Sequence, residues 1–237
     1  MTIEKLIHFI WIGDETLIPL DCINSWRKKN PSFDFKIWGN TDLEDKDWFF
    51  KDLISAWMKK EINGAADLMR WEILYKYGGF ALDADSKCIN PLEDWLFNND
   101  LFAAWENELI RPGLIATGAI GASKKHPFIK SVIDDIINDK NIFDGMAWQK
   151  VGPLRLTNTY RNKRVNCMTI YPSHYFYPNH YTGLNYRGKG LVFADQAWGS
   201  TRKNYKNLEF KSDNKPKVIT FTIPNIPNPN PFSFMSD

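Results

Sequence analysis

Cysteine is scarce: Cys22, Cys88 and Cys167 are the only three in 237 residues. No two of them have the spacing of a zinc site, and a disulfide scaffold needs more. They read as small buried apolar residues in a reducing compartment. Long apolar runs are missing too, since no segment approaches the ~18 residues of a membrane span. The opening MTIEKLIHFIWIG carries Glu4 early, has a short apolar run and lacks a small-residue cleavage site, so it does not read as a secretory signal. The net charge is only +2, which argues against a nucleic-acid-coating protein. Histidine is sparse, and His8, His126, His174 and His180 show no H-x-x-x-H spacing; each reads as structural. These absences lead to the expectation of a soluble, cytoplasmic protein.

What is present points to a packed core. Aromatic residues make up 15% of the chain and ten are Trp, against 24% charged residues, which excludes disorder. At ~150 residues per domain, the length fits one large domain with an appendage. We assign a single domain to 1–222 and an extended Pro/Asn-rich tail to 223–237, where Pro224, Pro227, Pro229 and Pro231 forbid helix and central strand. Charge is unevenly spread. Residues 1–100 hold 12 basic and 18 acidic side chains, whereas 101–237 hold 18 and 10. A late basic cluster, Arg202, Lys203, Lys206, Lys211, Lys215 and Lys217, reads either as a solvated face or as a surface facing a diphosphate, an anionic lipid or a polyanionic acceptor.

Periodicity predicts a buried strand over 6–12, a helix over 20–29 and a strand over 33–37. A helix over about 64–77 is expected, with Asn63 as N-cap, Asp67 in the first turn and Gly78-Gly79 at its end. Short strands follow at 80–82, 101–105 and 115–120, then a helix over 127–138. Strands alternating with helices predict an α/β fold with a mostly parallel central sheet flanked by helices. Beyond residue 160 the signals are short, and irregular structure is expected.

The chemistry concentrates in NGAADLMRWEILYKYGGFALDADSK, residues 63–87. Asp83 and Asp85 follow an apolar strand, and ligands of open α/β sheets bind beyond strand carboxyl ends. If the chain stays extended, side chains at i and i+2 share a side, and two adjacent carboxylates call for a divalent cation. Hard oxygen ligands favour magnesium, manganese or calcium over a soft-ligand metal. Asp67 and Arg70 lie at i, i+3 on one face of the preceding helix; alone they would be an ordinary helix ion pair. Glu106 and Glu108, just past the 101–105 strand, read as solvated loop charges or as acceptor-facing groups.

The spacing D-x-x-R-x-x-x-L-x-x-x-G-G-x-x-x-D-x-D resembles the DXD-motif sugar transferases. These include initiating α-mannosyltransferases, inositol-phosphoceramide mannosyltransferases, bacterial capsular polysaccharide enzymes and the catalytic domains of large clostridial glucosylating toxins. Further matches are IHFIWIG at 7–13, Trp26, Asn30-Pro31, Gly152-Pro153 and Trp198-Gly199-Ser200. The resemblance implies a GT-A fold and retaining transfer from a nucleotide-diphosphate sugar (UDP- or GDP-hexose) with Mn2+ or Mg2+. The acceptor would be a glycan or lipid-linked glycan, in capsule- or lipopolysaccharide-type synthesis, with possible peripheral association at the inner membrane face and no nucleic-acid partner. By the same resemblance, Trp11 would stack on the base, Asp67 and Arg70 would hold the donor sugar and diphosphate, Asp83 would touch ribose and the metal shell, and Asp85 would ligate the metal. Two positions depart from the pattern. Ala81 replaces an aromatic residue, and the late metal-ligand position holds Gln196, beside Asp195, in place of His. Those departures motivate a binding module with weak turnover as an alternative. A haloacid-dehalogenase-type phosphatase is a second one, with Lys130 and Asp134-Asp135 imitating its later motifs. It is opposed by Lys87, which stands where that family has Thr or Val.

Overall fold

The computed structural model describes residues 2–45, 47–163 and 168–210. The 223–237 tail, the domain limit at 222, Cys167 and the lysines 211, 215 and 217 lie outside the described residues. Among the described residues no helix is long and apolar enough to cross a membrane.

The strands are β1 (Leu6–Ile10), β2 (Asp34–Trp38), β3 (Gly79–Leu82), β4 (Ser86–Cys88), β5 (Leu101–Ala104), β6 (Ala119–Ala122), β7 (Thr169–Tyr171) and β8 (Ala194–Gln196). The helices are α1 (Leu20–Lys29), α2 (Asn40–Asp45), α3 (Lys51–Lys60), α4 (Ile62–Tyr77), α5 (Pro127–Ile137), α6 (Ala147–Lys150), α7 (Pro153–Lys163) and α8 (Gly199–Arg202). Six strands form the central sheet in the order β2-β1-β3-β6-β5-β7. β1 pairs parallel with β2 and β3, and β5 with β7, while β6 runs against both its neighbours. The expected mostly parallel sheet is therefore present, with one reversed strand.

Strand alternation separates two cores. Ile10, Ala81, Leu101 and Ala103 face one side, where Trp57, Trp71 and the α5 residues Ile129, Val132, Ile133 and Ile136 pack. Ile7, Phe9, Phe80, Leu82 and Phe102 face the other, against Ile23 and Trp26 of α1 and Phe97. The sheet is thus sandwiched by helices, and Ala81 is small where α4 crosses β3. Burial pushes the Cys22 and Cys88 thiols up to about 12, as expected of inert core cysteines.

The turn from α4 into β3 decides where the acidic motif lands. Gly78 (φ 69°) and Gly79 (φ 92°) occupy backbone conformations that side chains resist. A Cβ at Gly78 would also fall 2.7 Å from the amide nitrogen of Lys124. His8 fastens this turn to β1. Its Nδ1 accepts from Trp38 Nε1 at 3.1 Å, so Nε2 carries the proton and donates to the Gly78 carbonyl at 2.8 Å.

Three local expectations change. The N-cap position of α4 is Glu61, not Asn63, and Asp67 falls in the second turn. Glu61 instead accepts the Ala147 amide at 2.8 Å, so a distant partner displaces the local cap. The expected 115–120 strand begins at Ala119, with Ile115 joined to Trp105 only by an isolated bridge. Helices α2, α3 and α7 had no counterpart in the periodicity reading; α3 starts where the buried Glu72 carboxylate accepts the Phe49 and Phe50 amides, both at 2.7 Å.

His8 generates a pH prediction. Burial holds its pKa down at about 4 against 6.5 when free. The unfolded chain therefore takes up this proton first, and His8 contributes about 3 kcal/mol that is fully present above pH 6.5 and lost as pH falls toward 4. Urea midpoints at pH 7, 5.5 and 4.5 should show this component in the wild type, and His8→Gln should lack it.

Candidate active site

The carboxyl ends of β1, β3 and β5 and the amino end of β6 open into one cleft of about 860 Å³. Trp11, Asp67, Arg70, Asp83, Asp85 and Gln196 all line it. Asp195 does not.

Arg70 forms the floor. Its Nη1 donates to Asp67 Oδ1 at 2.5 Å and its Nη2 to Asp83 Oδ1 at 2.7 Å. The helix pair expected from the sequence is thus one half of a buried three-residue chain linking α4 to the end of β3. Thr117 Oγ1 donates to Asp67 from the β6 side at 3.4 Å. Burial raises the Asp67 carboxyl to about 7, with Arg70 pulling it down and Asp83 pushing it further up. Burial opposes charge on Arg70, but Asp83 and Asp67 outweigh it and hold the guanidinium protonated.

Asp83 and Asp85 do not lie on an extended strand. The Ser86 amide donates to the Asp83 carbonyl at 3.0 Å, making a four-residue turn. The carboxylates are brought together by Gln196 instead, whose Nε2 lies 2.7 Å from Asp85 Oδ1 and 3.4 Å from Asp83 Oδ2. The second sheet makes this possible: β4 pairs antiparallel with β8, setting Ser86 opposite Gln196 and Lys87 opposite Asp195. Alternation along β8 turns Asp195 away from the cleft, where it accepts from Asn179 Nδ2 at 3.0 Å. Of the two candidate third ligands, only Gln196 reaches the site. The Gly199 amide donates to Asp85 Oδ2 at 2.6 Å. Burial and the Asp83 charge raise Asp85 to about 6, against the hydrogen bonds from Gly199 and Gln196.

This donor set suits a hard divalent cation. Two carboxylates are crowded in a buried setting that disfavours their charge, a strain a cation relieves. Gln196 Oε1 is buried with no hydrogen-bond partner, and a half-turn of the amide exchanges it with Nε2. Among the described residues no three His, Cys, Asp or Glu side chains are grouped for a metal. The protein therefore offers two carboxylates and an amide oxygen, a partial shell of the kind magnesium completes with water and phosphate.

The remaining sequence matches take up supporting positions. Trp26 Nε1 donates to the Ser86 carbonyl at 2.8 Å, anchoring the start of β4. Asn30 Oδ1 accepts the Leu92 amide at 2.7 Å. Trp71 Nε1 holds the Val151 carbonyl at 2.7 Å, which presses Gly152 onto α4: a Cβ there would stand 2.5 Å from Asp67 Oδ2. At Gly199 it would meet Asp85 Oδ2 at 3.1 Å, and at Gly118 it would collide with Asp83 Oδ2. Each of the three carboxylates thus has a glycine against it.

Trp11 lies edge-on to Tyr205, with ring centres 5.0 Å apart, and donates from Nε1 to the Asp14 carbonyl at 2.9 Å. Tyr205, Thr117, Arg111 and Trp148 line the cleft without having been singled out in the sequence, because nothing local distinguishes them. Of the described members of the late basic cluster, Arg202, Lys203 and Lys206, Lys203 lines it. Glu106 faces the cleft, whereas Glu108 accepts the Ser173 amide at 2.8 Å and is structural. Tyr177 and Tyr181 line it, while Tyr175 packs on Phe193 and Tyr186 stacks on His174. His126 accepts the Phe128 amide at the start of α5. His180 departs from the expectation of a satisfied histidine, since its buried Nε2 has no hydrogen-bond partner. Lys130 and Asp134 pair with each other on the exposed face of α5, and Asp135 accepts from Thr159, so the phosphatase motifs do not converge on Asp83.

Residues 20–102 match the family model of the glycosyltransferase sugar-binding region containing DXD motif. In this region the chain is similar to the DXD-motif glycosyltransferases. It is 29% identical over 142 residues to inositol phosphoceramide mannosyltransferase 3 of Schizosaccharomyces pombe, covering 56% of this chain and 37% of the relative. The matched stretch thus spans little more than a third of that relative's length. Among solved structures, the fold is similar to a glycosyltransferase involved in the glycosylation of the major capsid of PBCV-1, with TM-score 0.54 and 11% identity over 84% of this chain and 95% of that one. It is also similar to the UDP-bound glycosyltransferase domain from the YGT toxin, with TM-score 0.53 and 9% identity over 71% and 79% of the two chains. The expected GT-A architecture of DXD glycosyltransferases is the fold observed.

The buried Arg70 chain makes a stability prediction. Arg70→Gln leaves Asp67 without its partner and should cost about 3 kcal/mol or more in urea unfolding at pH 8. Lys130→Gln, which breaks an exposed pair, should cost under ~0.5 kcal/mol. A second prediction concerns donor binding. Gly118→Ala should displace the half-exposed Asp83 carboxylate and weaken metal-dependent nucleotide-sugar binding by about ten-fold or more, read by calorimetry.

Proposed function

We propose that this chain is a metal-dependent retaining hexosyltransferase. It takes the hexose from UDP- or GDP-hexose and passes it to a glycan or lipid-linked glycan, in surface-glycan synthesis of the capsule or lipopolysaccharide type at the cytoplasmic face of a membrane. The observation that carries this reading is the Arg70 chain: one guanidinium joins the carboxylate that would read the sugar, Asp67, to the carboxylate beside the metal site, Asp83.

The chemistry follows from that arrangement. The acceptor oxygen bonds to the anomeric carbon, the bond from that carbon to the phosphate oxygen breaks with its electron pair on the departing nucleoside diphosphate, and the hydroxyl proton passes to a diphosphate oxygen. Asp83, Asp85 and Gln196 would hold Mn2+ or Mg2+, which supplies stabilisation of the negative charge developing on the leaving group. Arg70 adds a fixed positive charge on the same side. Asp67 accepts hydrogen bonds from sugar hydroxyls, and its burial makes each of them count. Trp11 and Tyr205 offer aromatic surface to the base. Retention of configuration rests on the family resemblance.

The test is thermal stabilisation against UDP-, GDP-, ADP- and dTDP-sugars with and without manganese. A ligand at ~100 times its Kd stabilises by about 2.7 kcal/mol. One nucleotide sugar should give a manganese-dependent shift that disappears in Asp85→Asn and persists in Lys87→Ala, whose side chain lies on the Asp195 side of the β4–β8 ladder. A shift without turnover on any acceptor would favour the binding-module reading, and no shift with any donor would overturn the proposal.

A further inference from the structure

The donor groups do not account for the whole cleft, which Glu106, Arg111 and Trp148 also line. The segment 114–118 joins the two sets: the Glu106 amide donates to the Leu114 carbonyl at 3.0 Å, Thr117 reaches Asp67, and the Asp83 amide donates to the Gly118 carbonyl at 3.0 Å. Glu106 is thus held at one end of this segment and Asp83 at the other.

At the Glu106 end the side chains form a second built cluster. Glu106 is buried yet faces the cleft. Arg111 Nη1 donates to its Oε1 at 3.1 Å, and the Arg111 guanidinium lies 4.4 Å from the centre of the Trp148 ring. Behind Glu106 is His180, wholly buried, with Nε2 3.6 Å from Glu106 Oε1. His180 Nδ1 lies 2.8 Å from Thr182 Oγ1 and 3.4 Å from the Thr182 amide, which leaves Nε2 facing Glu106. Tyr177 Oη, buried and without a hydrogen-bond partner, lines the cleft beside Gly118, on the Asp83 side of this cluster.

We propose that Glu106 and Arg111, seated on Trp148 and backed by His180, bind the acceptor, and that they select a neutral sugar ring by two of its hydroxyls. The inference rests on the glycosyltransferase reading and goes on to name the acceptor class. A carboxylate beside a guanidinium presents an acceptor and a donor side by side, which matches neighbouring hydroxyls that each donate and accept. A phosphate at this point would meet the Glu106 charge, and an amine would meet Arg111. Trp148 and Tyr181 supply flat surface for the carbon face of a ring. The free hydroxyl of that ring attacks the anomeric carbon as written above, losing its proton to the departing diphosphate; Glu106 holds the ring and takes no proton.

The experiment uses the full chain, manganese and the nucleotide sugar that gives the largest thermal shift. Transfer is measured to methyl α-glycosides of mannose, glucose and galactose, to glycerol 3-phosphate, and to an acetylated serine- and tyrosine-containing peptide. At least one methyl glycoside should accept sugar in preference to the other two probes. Glu106→Gln and Trp148→Ala should each raise its KM by about ten-fold or more with a smaller change in kcat, while the donor-induced thermal shift stays as in the wild type. That split separates acceptor binding from a merely structural role, which would lower the donor shift as well. Transfer to the peptide or glycerol 3-phosphate in preference to every glycoside overturns the inference. So does a glycoside KM unchanged in both variants, or a donor shift lost in both. A wild type that shifts with a donor but modifies no glycoside overturns this inference alone. A wild type that shifts with no donor overturns the proposed function beneath it.

Discussion

Everything in the cleft depends on one buried cation. Arg70 is almost inaccessible, and each of its two terminal nitrogens is committed to a carboxylate from a different element. Isolated, none of these charges would be tolerated at such depth. Together they form a chain that fixes the distance between the middle of α4 and the end of β3. The Gly78-Gly79 turn permits that proximity, and His8 locks the turn against β1 through a neutral imidazole with both nitrogens used. The depressed histidine pKa is the consequence of burying that imidazole in the turn.

A second layer of contacts holds the other carboxylates. Trp26 anchors β4 by its indole N–H, and Trp71 does the same for the 151–153 segment. These tryptophans supply bulk to opposite cores and a single directed hydrogen bond to the site, which suits a residue with a large apolar body and one donor. The glycines at 118, 152 and 199 complete the arrangement by letting backbone approach the three aspartates without an intervening methyl group. The short β4–β8 ladder then imports Gln196 from the far end of the chain, so a position that departs from the family pattern still lies against both carboxylates of the DXD motif.

The two ends of the cleft differ in construction. The donor end is compact in sequence, with four of its carboxylate and guanidinium groups inside residues 67–85. The opposite end is assembled from the segment after β5, the start of α6 and the loop that carries Tyr177 to Tyr181. Its charges are paired with each other rather than left for a phosphate, and the buried His180 Nε2, without a hydrogen-bond partner, lies beside Glu106.

The sequence by itself determined the parts governed by short-range geometry. Spacing i, i+3 puts Asp67 and Arg70 on one helix face, paired glycines end α4, and an apolar run delivers Asp83 to the rim of the sheet; each follows from local backbone periods of 3.6 and 2. The alternation of strands and helices gave the parallel character of the sheet in the same way. Only the tertiary structure decided between Asp195 and Gln196, because adjacent strand residues point to opposite faces and a register set some 110 residues away selects which one meets Asp85. It also replaced the expected Asn63 cap with a long-range role for Glu61, turned the extended D-x-D into a β-turn, and separated Glu106, which enters the cleft, from Glu108, which caps Ser173. These outcomes depend on which distant backbone amides need partners once the core has packed, and no local pattern carries that information.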